Sequence, residues 1–183
     1  SAADSTTPHP LLIALHGAGG DESMFFEGYG AGCLKQLADR HGLIVVAPLT
    51  YMVMGNGAVF DGIVEAIGMN YSIDPKRIYV LGHSMGGGAA AGLAMQRPDT
   101  IAAVCCMAGT GRFNAGAKIP PVLLLAGELD PLIPASRIKD GADAAAKSGL
   151  PVEYREAKDY GHTLLVGAKL GEAVEWLVAH TRE

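Results

Sequence analysis

Six short apolar runs recur along the chain, at Leu11–His16, Leu43–Pro48, Arg77–Gly82, Ile101–Met107, Val122–Gly127 and Val152–Glu156. Most are near-continuous Val, Ile, Leu and Ala, the composition of strands buried on both faces of a parallel sheet. Helical stretches lie between and after them, near Gly32–Arg40, Val59–Asn70, Met85–Gln96, Ser136–Ser148 and Thr163–His180. This alternation predicts βαβ units, and so an α/β fold with helices on both faces of a mostly parallel sheet of about six strands. Only Ala108–Pro121 separates the fourth and fifth runs. A parallel crossover takes a dozen or more residues, so this one is minimal and is expected to lack a full helix. No insertion is long enough for a large lid, which predicts an open site.

With 183 residues, 49% hydrophobic and 18% charged, the chain reads as one core-rich domain over residues 11–183 behind a polar lead-in, Ser1–Pro10. The formal net charge of −5 and the absence of a basic run argue against a nucleic-acid partner. No apolar stretch is long enough to span a bilayer. The chain starts at Ser1 without a methionine. It therefore reads as processed or recombinant, cytoplasmic or secreted after loss of a signal peptide. Oligomeric state is left open. Three cysteines, Cys33, Cys105 and Cys106, make a poor disulfide framework. The last two lie in an apolar run and are expected to pack as small hydrophobes, and Cys33 is expected on a helix face.

Gly82-His83-Ser84-Met85-Gly86 matches the G-x-S-x-G pattern, and its surroundings give the match weight. A buried strand runs into it and a small-residue helix leaves it. Such a serine sits on a sharp strand-to-helix turn that lifts its hydroxyl clear of the sheet. A side chain at Gly82 or Gly86 would crowd the turn, and Gly87–Ala91 let the helix lie close to the sheet. The helix start also favours negative charge developing on a substrate oxygen.

Ile73-Asp74-Pro75-Lys76-Arg77-Ile78-Tyr79-Val80, followed by Gly-His-Ser-Met-Gly-Gly, resembles the α/β-hydrolase esterases grouped with polyhydroxybutyrate depolymerases and feruloyl esterases. Prolyl-oligopeptidase-type hydrolases carry a similar stretch. The resemblance runs from Leu11 onward and implies an oxyanion hole of two backbone N–H groups. One belongs to the residue after the nucleophile, Met85. The other comes from His16-Gly17-Ala18-Gly19, where Ala18 is the expected donor and Gly17 or Gly19 the neighbouring alternatives. His16, at a strand end, is expected to brace this loop. One or two antiparallel strands usually precede the first strand of the family. None is seen before Leu11, which implies a minimal hydrolase or a trimmed chain.

The fold's chain order is nucleophile, acid, base. Asp130, in Gly127-Glu128-Leu129-Asp130 after a buried strand, fits the family pattern Gly-x-x-Asp better than Glu128. His162, in Asp159-Tyr160-Gly161-His162, follows the last strand and precedes the final helix, within reach of the serine and with a side chain that titrates near neutrality. Asp159 is expected to serve the loop. No third ligand accompanies the pairs His9/His16 or Asp159/His162, so no metal is expected, and no organic cofactor is needed.

Three segments follow strand carboxyl ends, where ligands bind in parallel α/β sheets. They nominate Met24 and Phe25, Tyr51 and Met52, and Leu132 and Ile133 as substrate-binding residues, against the alternative that they pack on the core. Trp176 is expected to anchor the last helix. Together these features predict a serine carboxylic ester hydrolase acting on short-chain, aryl or polyester-type esters. The alternatives are a peptidase or thioesterase with the same triad, or a non-catalytic binding protein of the same fold.

Overall fold

The computed structural model describes residues 7–183. Strands β1 (His9–Leu15), β2 (Ile44–Val46), β3 (Ile73–His83), β4 (Ala103–Met107), β5 (Val122–Gly127) and β6 (Val152–Ala157) form one sheet in the order β2-β1-β3-β4-β5-β6. Every pairing is parallel. The helices are α1 (Cys33–His41), α2 (Thr50–Val53), α3 (Gly57–Gly68), α4 (Met85–Gln96), α5 (Ala135–Lys147) and α6 (Leu164–Val178). The α/β architecture expected from the alternating pattern is present, with every strand pairing parallel.

Alternate side chains of a strand point to opposite faces, and in the central strands both sets are apolar. Leu11, Ile13 and Leu15 of β1 pack with Phe60 of α3, Leu93 of α4 and Ile138 of α5. Leu12 and Ala14 face Leu34 of α1 and Leu170 and Val174 of α6. Helices thus cover both faces, which is why the runs lack polar alternation. Cys105 and Cys106 are buried in β4, Cys33 opens α1, and all three thiols are free. Trp176 packs partly buried on α6 and donates to Glu153 at 2.8 Å. The β4–β5 crossover contains no helix.

Several boundaries differ from the sequence reading: β3 starts at Ile73 and not at Arg77, and β4 at Ala103 and not at Ile101. Strand β1 begins at His9, so His9 and Pro10 belong to the sheet and not to a lead-in. The His9 N–H donates to the Ser72 carbonyl at 2.8 Å, and His9 pairs with Ile73 across a register shift that accommodates Pro10. Of the rest of that lead-in, residues 1–6 lie outside the described residues. Between β1 and α1 the chain makes a π turn at Met24–Gly28 and a 3₁₀ turn at Tyr29–Gly32. Gly30 and Ala31 there adopt φ of 57° and 52°, a conformation no periodic pattern announces. The turn docks on α6, where a Cβ at Gly167 would lie 2.7 Å from the Gly30 Cα. No helix among the described residues is long and apolar enough to cross a membrane.

After β1 the chain adds β2 on one side and then β3 on the other. That reversal opens a crevice at the carboxyl ends of β1 and β3, the usual position of a ligand site in such sheets.

Candidate active site

Ser84 stands alone between the end of β3 and the start of α4, at φ 54° and ψ −115°. A non-glycine residue in this region stores about 1–3 kcal/mol of strain. Its surroundings hold it there: the Ser84 N–H donates to the Met107 carbonyl at 2.9 Å, and the Ser84 carbonyl accepts from Gly88 N–H at 3.1 Å. A Cβ on Gly82 would overlap the Gly86 backbone, and one on Gly86 would overlap the Leu15 carbonyl. The turn is therefore wedged against β1, and the serine side chain has no inward space to occupy.

The acid and base loops meet it from β5 and β6. His162 Nε2 lies 2.8 Å from Ser84 Oγ, and His162 Nδ1 lies 2.7 Å from Asp130 Oδ2. Asp130 Oδ1 accepts from the N–H groups of Leu132 at 2.8 Å and Ile133 at 2.9 Å. Burial alone would raise the Asp130 carboxyl, but the Ile133 N–H, the His162 ring and the Leu132 N–H outweigh it and hold the group below its ordinary value. Glu128, the rival acid, does other work: it accepts from the Asp159 N–H at 3.1 Å, steadying a residue at φ 65°. The two loops are close packed, since a Cβ on Gly127 would lie 2.6 Å from the Tyr160 carbonyl.

The glycine loop after β1 supplies N–H groups, and their partners sort them. Gly17 N–H donates to Tyr29 Oη at 3.4 Å, Gly19 N–H to Tyr51 Oη at 3.1 Å, and Gly20 N–H to the Gly17 carbonyl at 3.1 Å. Buried His16 accepts from Thr50 N–H at Nε2 (3.1 Å), so its Nδ1 carries the proton and donates to the Gly17 carbonyl at 2.8 Å. In a trans peptide the C=O and N–H point opposite ways. Pinning the Gly17 carbonyl therefore turns the Ala18 N–H away from His16. The N–H groups of Ala18 and of Met85, at the α4 start, have no acceptor within the described residues.

His83, inside the motif, is buried. Its Nε2 lies 3.0 Å from the His162 carbonyl, which can only accept, so the proton sits on Nε2. Bare Nδ1 then accepts from Tyr29 O–H at 2.8 Å. Burial, and next the nearby His162, push the His83 imidazole down from 6.5 to about 4. The unfolded chain therefore binds more protons than the folded one between those values. The stability contribution is full above pH 6.5 and is lost as pH falls to about 4. Its size is about 3 kcal/mol. As pH is lowered from 7 to 4, denaturant midpoints should fall more steeply for wild type than for His83→Gln, and parallel curves would rule out this source of acid sensitivity.

A cavity of about 310 Å³ opens over Ser84 and His162. Ala18 and its flanking glycines, Met24, Tyr29, His83, Leu132 and Thr163 line it. Of the side chains nominated as substrate-binding, Met24 and Leu132 line this cavity, and four do not. Phe25 is fully buried in the core, edge-on to Tyr29, because the π turn points it inward. Tyr51 bonds the back of the glycine loop. Met52 is exposed on α2, away from the cavity lining. Ile133 packs on the core beside α5 and offers only its N–H, to Asp130. Tyr29, His83 and Thr163 line the cavity without having been anticipated. The motif position of His83 was the one signal available for any of them.

A six-stranded parallel sheet with a strained serine between strand and helix at its switch point defines an α/β-hydrolase. The chain belongs to the Hydrolase_4 family, serine aminopeptidase S33, whose model matches residues 58–159. Among characterised proteins it is similar to Cutinase 1 of Thermobifida cellulosilytica, 40% identical over 62 residues, or 34% of this chain and 24% of the relative. An acetylxylan esterase of Coprinopsis cinerea is 28% identical over 127 residues, 60% of this chain and 33% of the relative. The matches thus span only a quarter to a third of these relatives' length. Among solved structures, FphF, a fluorophosphonate-binding serine hydrolase of Staphylococcus aureus, superimposes with a TM-score of 0.80 at 16% identity, over 97% of this chain and 87% of that one.

Proposed function

We propose that this protein is a serine carboxylic ester hydrolase working through an acyl-enzyme. The observation that carries the reading is the unbroken hydrogen-bonded line from Asp130 through His162 to Ser84, opening on a cavity beside two unpaired N–H groups. Ser84 Oγ attacks the ester carbonyl as His162 Nε2 takes its proton. Asp130 orients the ring and stabilises the imidazolium. The N–H groups of Met85 and Ala18 receive the negative charge on the tetrahedral oxygen. His162 then protonates the departing alcohol, water enters with His162 as base, and the acid leaves with Ser84 regenerated.

The cavity volume is at the small end of the ~300–1,000 Å³ typical of ligand sites, which favours short acyl or compact aryl groups. The similarity to a cutinase and an acetylxylan esterase supports the same range, with polyester as a further candidate. The family description favours a second reading, an aminopeptidase. Such an enzyme must hold a substrate ammonium, and an unpaired buried ammonium is costly. No carboxylate lines the cavity among the described residues. Turnover of p-nitrophenyl esters from acetate to dodecanoate, run beside aminoacyl p-nitroanilides, decides between them. The expected profile peaks at acetate to butyrate and is silent on the anilides. Anilide turnover above ester turnover would reverse the assignment.

A further inference from the structure

The reaction proposed above uses Ser84, His162, Asp130 and two N–H groups, and leaves unexplained two buried polar side chains of the same cavity lining. Tyr29 and His83 are both buried and edge-on, with ring centroids 5.1 Å apart. Their hydrogen bonds run in one consistent direction, from Gly17 N–H to Tyr29 O–H to His83 Nδ1, and from His83 Nε2–H to the carbonyl of His162. One end of this line is the residue before Ala18. The other end is the main chain of the base itself. The line passes through His83, the residue immediately before the nucleophile.

We propose that Tyr29 and His83 are positioning residues that fix the glycine loop and the His162 loop at one separation, so that the serine, the base and the Ala18 N–H meet the same substrate carbon and oxygen. The inference rests on the esterase reading only for what the site does, not for how it is held. Both loops leave different strands, and within the cavity wall His83 is the side chain that bonds the main chain of the base. A displacement of about 1 Å in such a site costs on the order of 100-fold in rate, so a tie at this point has a kinetic consequence beyond stability. The line also requires neutral His83. A proton on Nδ1 would oppose the Tyr29 O–H and place a second cation beside the imidazolium of His162, with ring centroids 4.9 Å apart.

The test uses the full chain and the second-order rate of Ser84 phosphonylation by a fluorophosphonate, a reaction of nucleophile, base and oxyanion site that does not depend on the ester chosen. Three variants separate the links. His83→Asn keeps an acceptor near Nδ1 but cannot reach the His162 carbonyl. His83→Gln places its amide N–H near Nε2 and can. Tyr29→Phe removes the hydroxyl between Gly17 and His83. Given the sensitivity of rate to placement, phosphonylation should fall by about tenfold or more in His83→Asn and Tyr29→Phe, and by less in His83→Gln, which keeps the tie to the His162 carbonyl and loses only the acceptor for Tyr29. On p-nitrophenyl butyrate, counted per phosphonylatable site, the loss should appear in kcat with KM within about twofold. Thermal unfolding of each variant separates placement from stability. Equal rates per site in all three variants, whatever their melting temperatures, would reduce the pair to ordinary core polar groups and overturn the proposal. Wild type that is phosphonylated but hydrolyses no ester would end the esterase reading while leaving this comparison intact.

Discussion

Ser84→Ala should abolish ester hydrolysis, with kcat falling by about 10⁵–10⁶-fold. In the proposed reaction the Ser84 oxygen bonds to the acyl carbon, and it is the cavity-lining hydroxyl that lies 2.8 Å from His162 Nε2. Some acceleration over water should survive, about 10³-fold or more, because the N–H groups of Met85 and Ala18 and the cavity walls remain. Fluorophosphonate labelling should disappear with the hydroxyl. The fold should not change, since alanine occupies the φ of 54° with no larger side chain than serine. The measurement is initial rate on p-nitrophenyl acetate with the variant purified away from wild type. Retention of more than about 1% of the rate would place the nucleophile elsewhere.

Gly86→Ala should cost more than about 4 kcal/mol, beyond the usual range for a single substitution and a large part of the roughly 5–15 kcal/mol that holds a domain together. The added methyl would overlap the Leu15 carbonyl and lie 2.7 Å from the His16 carbonyl oxygen. Both are main-chain atoms of β1 and its loop, so no side-chain rotation relieves the clash. Either α4 moves off the sheet or β1 shifts, and both disturb the turn at Ser84. Gly88→Ala, two residues on in the same helix, is the control. A methyl there meets only the Thr110 carbonyl, at 3.8 Å, and a helical Gly→Ala change should stabilise by about 0.5–1 kcal/mol. Guanidinium unfolding of the two variants should therefore move the midpoint in opposite directions. Equal shifts would mean that the close approach of α4 to β1 does not govern this turn.

The strands were readable because a parallel sheet covered on both faces demands unbroken apolar runs, and Val122–Gly127 matches the observed strand end for end. The three side chains proposed as nucleophile, acid and base could be nominated because each follows a strand end with a local pattern around it, and the structure places them in hydrogen-bond contact. Such patterns are short-range, so they survive in a linear string. Where the pattern was tertiary, the reading stopped short. Phe25 looked like a rim residue from its place after the glycine loop, but the π turn at 24–28 points it into the core. Tyr51 looked like a substrate contact and instead bonds the back of that loop. Gly30 and Ala31 give the intervening segment a left-handed backbone that only docking on Gly167 of α6 makes affordable.

The choice among the glycine-loop donors shows the division most plainly. Sequence order allowed Gly17, Ala18 or Gly19. Gly17 N–H and Gly19 N–H are taken by tyrosines 12 and 32 residues away, and the peptide between Gly17 and Ala18 is oriented by a histidine locked to Thr50. His83 is the same case from the other direction: an unremarkable letter inside a five-residue motif until folding brings Tyr29 and His162 to its two ring nitrogens. Local apolar periodicity and turn chemistry set the class of fold and nominated the side chains proposed to react. The partner of each backbone N–H and of each imidazole nitrogen was decided by long-range packing, because a hydrogen bond depends on where distant segments meet and leaves no mark on the spacing of residues along the chain.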